Sequence, residues 1–337
     1  MREKLELLLK LAARYHATDV HFTVKQETLK ISVRGIRGII ELHEPTLDLS
    51  LFHYLKYLAN LDLGNLAQPQ SGNFQLSLQD KNLYFRFSLL MTPQLQTGVL
   101  RILNNHLLID IHHLSPHKHQ NRSFINWTRF RSGMIILSGP TSSGKTTTLH
   151  AILSEIASHH KLKIITLEDP IEIHSDEYLQ LQINEQANFT YEEGIKQLLR
   201  HDPDVIMIGE IRDSQTAKMA FRCALSGHMV FSTVHAKSAA EAVKRLCELG
   251  LRRDELLGTL SAITNQRLFA KKGKKERICI YEILEHESLE QILQNQSVSQ
   301  QHQDIFQEIR IAVKEGWISE KEGYLLYNQQ TPAASEE

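Results

Sequence analysis

The sequence predicts an α/β protein in two parts: a smaller domain with a mainly antiparallel sheet, then a larger one built on a parallel sheet. Three observations predict it. Residues 133–148 read Gly-Met-Ile-Ile-Leu-Ser-Gly-Pro-Thr-Ser-Ser-Gly-Lys-Thr-Thr-Thr, a short apolar run, a glycine-containing loop and the start of a helix. Beyond them, Lys163–Leu167, Val205–Ile208 and Met229–Thr233 are apolar, β-branched runs separated by helical patterns. They lack in–out alternation, as strands covered on both faces should. Before residue 105 the order is helix, strands, helix, strands, and those strands alternate.

The 337 residues are enough for two cores, and 42% apolar with 23% charged residues is an ordinary globular composition. A formal net charge of −1 argues against a protein that wraps nucleic acid by bulk attraction. No apolar run approaches the ~18 residues of a membrane span, and nothing resembles a secretory signal. Cys223, Cys247 and Cys279 are far apart within apolar patterns, as expected of reduced core thiols in a cytosolic chain.

Leu5, Leu8, Leu9, Ala12 and Tyr15 share one face of a helix over 1–16, expected to pack on the first domain rather than lie on a membrane. Asp19–Lys25 and Thr28–Arg34 read as paired strands, with a turn from Gly35 to Gly38. A helix is expected over Leu47–Leu63, then strands Asn73–Gln79, Leu83–Leu89 and Val99–Leu103, the first two joined by a tight Asp80–Asn82 turn. Residues 105–132 read as a polar linker. They hold His106, His112, His113, His117 and His119, but Pro116 breaks any helix and the spacing does not suit a metal.

Residues 133–285 form the second domain. Thr190 with Glu193 and Ser238 with Glu241 have capping-box spacing, and Gly227 and Gly250 sit where helices should stop. Residues 254–269 read as a further helix and Arg277–Leu284 as a late strand. Residues 286–337 are a polar helical segment ending in a disordered tail.

Gly139–Thr146 reads G-x-x-x-x-G-K-T between a strand and a helix, the context a phosphate-binding loop requires. Gly139, Pro140, Thr141, Ser142, Ser143 and Gly144 would wrap a triphosphate with backbone N–H groups, and the helix start through Thr147 adds partial positive charge. Lys145 should reach the β- and γ-phosphates, and the Thr146 hydroxyl should ligate Mg²⁺. The second strand ends in Glu168, Asp169, Pro170, Ile171 and Glu172, the third in Ile208, Gly209 and Glu210. Glu210 would act through metal-bound water, and Glu172 would orient the attacking water. His228 and His235 bracket the fourth strand. Beside a γ-phosphate either could donate a hydrogen bond, yet a lone strand-end histidine is ordinarily structural, and the residues alone leave this open.

Four segments together resemble the secretion ATPase superfamily of type II secretion, type IV pili and competence pseudopili. Gly139–Thr146 is similar to its Walker A, Leu167–Glu172 to its Asp box, Asp202–Asp213 to its Walker B and Gly227–His235 to its His box. Leu257–Leu260 with Asn265–Leu268, and Ala17–His21, also match the family. The resemblance implies a RecA-like P-loop NTPase core behind a PAS-like N-terminal domain. It further implies a homohexameric ring, Mg²⁺-ATP between the domains, and attachment to a polytopic membrane platform protein at the inner face of the cell membrane. By it Glu172 is the general base and Glu210 the Walker B glutamate.

Assembly and secretion members usually carry a four-cysteine zinc element and an extra upstream domain. Here Lys271–Lys275 leads to Cys279 alone, so no zinc is expected. Ser142 stands where the family typically has Gly, and Gly209-Glu-Ile-Arg-Asp213 has the Ile typical of assembly motors. A short, zinc-free member most resembles the Gram-positive competence type, a motor assembling a pseudopilus for DNA uptake. Type II secretion, pilus retraction and a nucleotide-gated scaffold with little hydrolysis remain alternatives. A nucleic-acid translocase is disfavoured by the neutral charge and the lack of an aromatic–basic groove.

On Leu83–Leu89, Leu83, Phe85, Phe87 and Leu89 share one face and leave Arg86 on the other; Arg101 likewise stands opposite Leu100 and Ile102. The family places arginines with this separation against the phosphates, which makes Arg86 and Arg101 candidate catalytic residues beside Lys145, Glu172, Glu210 and His235.

Overall fold

The computed structural model describes residues 1–337 apart from 16, 18, 36–37, 63, 65–67, 79–80, 93, 104–109, 185–186, 275, 296–301 and 328–337. His106, residue 80 of the expected tight turn and the expected disordered tail lie outside the described residues. The chain divides into two compact units, Met1–His106 and Leu107–Glu337.

The smaller unit is a six-stranded antiparallel sheet with two helices. Its strands are β1 (Asp19–Lys25), β2 (Thr28–Gly35), β3 (Gly38–Leu42), β4 (Gln70–Leu78), β5 (Lys81–Met91) and β6 (Gln96–Leu103), in the spatial order β3-β2-β1-β6-β5-β4. Strand β3 occupies the stretch after the expected turn. Helices α1 (Arg2–Arg14) and α2 (Leu49–Leu58) bury Leu5, Leu8 and Ala12 and Leu51, Phe52 and Leu55 against Phe22, Phe85, Phe87 and Leu100 of the sheet. The first helix therefore packs on its own domain. Gly98 is required by this packing: a Cβ there would lie 2.6 Å from the Phe87 ring and 2.8 Å from the Phe52 ring.

The other face of the sheet carries charge. In register, Arg34 of β2, Asp19 of β1, Arg101 of β6 and Arg86 of β5 form one row across four strands. Asp19 accepts a hydrogen bond from Arg101 Nε at 2.8 Å.

The larger unit is a seven-stranded sheet with helices on both faces. Its strands are β7 (Gly133–Ser138), β8 (Ile164–Glu168), β9 (Leu179–Gln182), β10 (Val205–Ile208), β11 (Met229–Val234), β12 (Leu260–Ala270) and β13 (Arg277–Glu285), in the order β13-β12-β7-β11-β10-β8-β9. All pair in parallel except β13, which runs antiparallel to β12. Strand β7 shows why its run is apolar throughout. Met134 and Ile136 enter one core with helices α5 (Tyr191–Leu198), α6 (Ser214–Leu225) and α7 (Ala239–Glu248), while Ile135 and Leu137 enter the opposite core. The capping expectations hold: Thr190 Oγ1 accepts from Glu193 N and Ser238 Oγ from Glu241 N. Gly227 and Gly250 take φ of 97° and 92°.

Two elements differ in type from the sequence expectation. Only Arg253–Thr259 of the stretch 254–269 is helical (α8), and the remainder is β12, buried between β7 and β13. Its Ala, Gln, Arg and Leu are good helix formers, and pairing on both sides overrides that preference. Within the expected linker, Lys118–Trp127 forms helix α3, whose Phe124 and Trp127 are fully buried against α4 (Lys145–His160) and Tyr281. Pro116 precedes this helix rather than breaking it. Beyond β13, helices α9 (His286–Leu293), α10 (Ile305–Lys314) and α11 (Glu320–Tyr327) follow.

Candidate active site

Parallel register brings the sequence motifs to one edge of the larger sheet. Ser138 of β7 pairs with Val234 of β11, and Ile208 of β10 pairs with Ser232 of β11 and Leu167 of β8. The loops after all four strands therefore leave the carboxyl ends side by side, where ligands of open α/β sheets bind.

The loop after β7 is shaped by backbone that tolerates no side chain. Gly139 has φ of 147°, and a Cβ there would meet Gln266 O at 2.6 Å and Ser143 Oγ at 2.7 Å. Ser142 takes φ of 63°, a left-handed conformation in which glycine is the least strained residue. From below, Gln266 Nε2 donates to Ser143 O at 2.8 Å. Thr148 on the first turns of α4 joins the Tyr281 hydroxyl at 2.9 Å. The loop is thus fixed on β12 and β13 before any ligand arrives.

Lys145 Nζ donates to the loop's own carbonyls, Gly139 O at 2.9 Å and Pro140 O at 3.0 Å. Burial lowers its pKa, while the nearby Glu210 and Glu172 carboxylates act to raise it and Arg267 to lower it. The hydroxyl of Ser143 is buried without a partner among the described residues. A cradle of N–H groups, a half-buried amine folded over it and an unpaired hydroxyl fit a polyphosphate. Thr146, in the first turn, and Glu210 are the residues that would hold Mg²⁺. Among the described residues no group of three His, Cys, Asp or Glu side chains forms a metal site. A cation completed by phosphate oxygens and water needs none.

After β10, Gly209 sits where any side chain would be crowded. A Cβ there already lies 3.2 Å from Leu167 O and from the Tyr191 hydroxyl. Glu210 therefore carries the carboxylate. Its Oε1 is 3.1 Å from His235 Nε2, and its Oε2 accepts from Arg212 at 2.9 Å. Arg212 also approaches Asp169 at 3.7 Å, and the hydrogen bond to Glu210 raises the guanidinium's pKa. Strand β11 fastens this loop: Ser232 Oγ donates to Ile208 O, Thr233 Oγ1 donates to Gly209 O, and Thr233 O accepts from Ile211 N. Glu172 is exposed on the loop after β8, which begins with a cis Asp169–Pro170 bond.

His235 thus joins the cluster, but His228 does not. It precedes β11, where its carbonyl accepts from Gly133 N at the start of β7, and its Nδ1 lies 3.0 Å from Cys223 O. A six-residue strand, roughly 20 Å, separates it from the P-loop. Arg86 and Arg101 face each other directly on the charged face of the smaller unit, with Arg86 Nε 3.4 Å from Ser71 Oγ. The sequence reading missed Arg212 and Gln266. Arg212 was signalled by its place two residues after Glu210, whereas Gln266 was hidden by the expected helix.

Comparison with known proteins gives the lineage. The family described as Type II/IV secretion system protein matches residues 2–333. The competence protein ComGA of Bacillus subtilis (strain 168) is 32% identical over 324 residues, covering 90% of this chain and 91% of that protein. The competence protein ComGA of Halalkalibacterium halodurans is 35% identical, covering 94% and 95%. Among solved structures, the pilus retraction motor PilT with bound ADP aligns with a TM-score of 0.76 at 25% identity, over 94% of each chain. The chain belongs to the type II/IV secretion system protein family.

Proposed function

We propose that the chain is an Mg²⁺-dependent ATPase that works as a homohexamer to drive assembly of a type IV competence pseudopilus. The observation that carries the reading is the convergence of four strand ends on Lys145, with Glu172 and Glu210 close enough to act on its charge. Similarity to competence proteins over nearly the whole chain supports the pseudopilus role over type II secretion. The membrane partner would be a polytopic platform protein; no helix among the described residues is long and apolar enough to cross a membrane. Zinc has no part in this reading, nor does direct contact with nucleic acid.

In the reaction, Lys145 leaves its loop carbonyls for the transferred phosphate and stabilises the charge developing there. Glu172 accepts a proton from the attacking water. His235 exchanges Glu210 for a phosphate oxygen, and Arg86 and Arg101 add guanidinium charge from the N-terminal domain. When bound, Mg²⁺ supplies charge neutralisation across the phosphates. The test is ATP turnover by the purified oligomer with its mass determined. We expect a hexamer with turnover abolished by Lys145→Ala. Turnover near the parent rate in Lys145→Ala would remove the P-loop from the reaction, and a parent that binds ATP without turnover would leave a scaffold.

A further inference from the structure

Beneath the nucleotide loops lies a buried polar chain that the proposed reaction does not use. His150 sits on α4, the helix that begins with Lys145, and is fully buried. Both ring nitrogens are engaged. Nδ1 is 2.6 Å from the Tyr178 hydroxyl and Nε2 is 3.4 Å from Glu168 Oε2. A neutral imidazole satisfies both when Tyr178 donates to Nδ1 and Nε2–H donates to the carboxylate. Glu168, 3% exposed, uses its other oxygen to accept from Thr166 Oγ1 at 2.7 Å and Gln180 Nε2 at 2.9 Å.

Gln180 then reaches into the loop that carries Glu172. Its Nε2 donates to Ile173 O at 2.8 Å and its Oε1 accepts from Ser175 N at 2.8 Å. Two residues along the same strand, Gln182 Oε1 accepts more weakly from Ile171 N at 3.4 Å. Glu172 is an exposed side chain, so its carboxylate position depends on how this loop backbone is held. The holding groups sit on β9 and are braced through Glu168 by the P-loop helix.

We infer that His150, Glu168 and Gln180 are positioning residues that tie the phosphate-binding helix to the loop bearing the general base. They touch no substrate. Their action is to fix the distance between Lys145 and Glu172, and a displacement of about 1 Å in a reacting geometry can lower a rate about a hundredfold. The chain explains why a costly buried carboxylate is kept at the end of β8: each of its oxygens is satisfied, and the links to His150 and Gln180 cross to α4 and β9. The inference rests on the ATPase reading for its kinetic consequence, but the coupling itself can be read without turnover.

Two readouts test it on the full-length protein. His150→Phe and Gln180→Leu are each compared with the parent, with His159→Ala, an exposed site on the same helix, as control. The kinetic readout is kcat and KM for ATP, beside the affinity of a fluorescent ATP analogue. We expect kcat to fall about tenfold to a hundredfold, KM and analogue affinity to stay within about twofold, and the double variant to be no worse than the stronger single one. The second readout is hydrogen exchange at the Ser175 amide, which should quicken in His150→Phe although Gln180 is still present. Tyr178→Phe, which removes one hydroxyl, should shift both readouts in the same direction and less. Unchanged kcat and unchanged exchange would overturn the inference. So would a loss of analogue binding in step with kcat, or additive effects in the double variant. A parent without turnover but with quickened exchange in His150→Phe would instead remove the ATPase reading and leave the coupling intact.

Discussion

The two sheets handle charge in opposite ways. At the carboxyl edge of the larger sheet each buried or half-buried acid is answered: Glu210 by Arg212 and His235, Glu168 by His150, Thr166 and Gln180. On the smaller sheet, Arg86 and Arg101 stand directly opposite each other, and one aspartate in their row serves Arg101. Like charges facing across strands are destabilising. The difference separates a sheet edge whose charges are already paired from a sheet face that sets two like charges side by side.

Removing the facing arginines is the strongest way to break that comparison. Arg86→Ala or Arg101→Ala should cut hydrolysis by about 10³ or more, the scale of an arginine that stabilises phosphoryl transfer; Arg86→Ala should leave the melting temperature unchanged or raised, and Arg101→Ala, which also removes the ion pair to Asp19, should lower it slightly. Lysine at either position should rescue poorly because it lacks the planar fork. Steady-state turnover beside thermal melts reads this, and parent-like turnover in both alanine variants would make the pair an ordinary surface feature.

Away from that edge, Glu308 of α10 sharpens the contrast. Glu308 is 3% exposed, its Oε1 accepts from Gln120 Nε2 at 3.1 Å, and its Oε2 lies 3.1 Å from His117 Nε2. Burial raises the Glu308 carboxyl to about 7 from its usual 4.5 and lowers the His117 imidazole, so neither charge is well supported. An acid with a raised folded pKa brings stability that is full below its unfolded value and lost as pH rises through the folded one. His117 acts in the opposite sense, with stability present above its unfolded value of 6.5 and lost as pH falls. Glu308→Gln should therefore leave melting near pH 4 unchanged and stabilise the chain by ~2 kcal/mol at pH 8, a few degrees in melting temperature. Equal melting at pH 8 would show that Glu308 is ionised at no penalty.

The smallest effect is expected in the P-loop. Ser142→Gly relieves a left-handed serine, but it also frees the unfolded chain, and the two nearly cancel at below about 1 kcal/mol. Turnover should stay within about twofold of the parent. A larger loss would assign the Ser142 hydroxyl a contact of its own.

How much of this was legible in the sequence depended on whether a local pattern and its tertiary partner agreed. Met134–Leu137, Val205–Ile208 and Met229–Thr233 were readable because β-branched runs buried on both faces leave no other reading. Strand β12 was not, since Ala262, Gln266, Arg267 and Leu268 favour a helix and become strand only between β7 and β13. That error concealed Gln266 beneath the P-loop. The two histidines of one motif looked equivalent until the length of β11 placed them at opposite ends of the sheet. Helix α3 was lost among histidines, although Phe124 and Trp127 at i, i+3 marked its buried face. Arg86 and Arg101 were legible as outward residues, but their direct pairing required the register of β5 and β6.

The most direct test of the catalytic reading is Glu172→Gln, measured as nucleotide affinity and single-turnover hydrolysis on the same preparation. The substitution keeps the side chain's shape and removes only the proton acceptor. We predict affinity for Mg²⁺-ATP within a few fold of the parent and hydrolysis lower by about 10²–10⁴. Loss of affinity together with hydrolysis would make Glu172 a structural element of the loop, and hydrolysis at the parent rate would place the general base elsewhere.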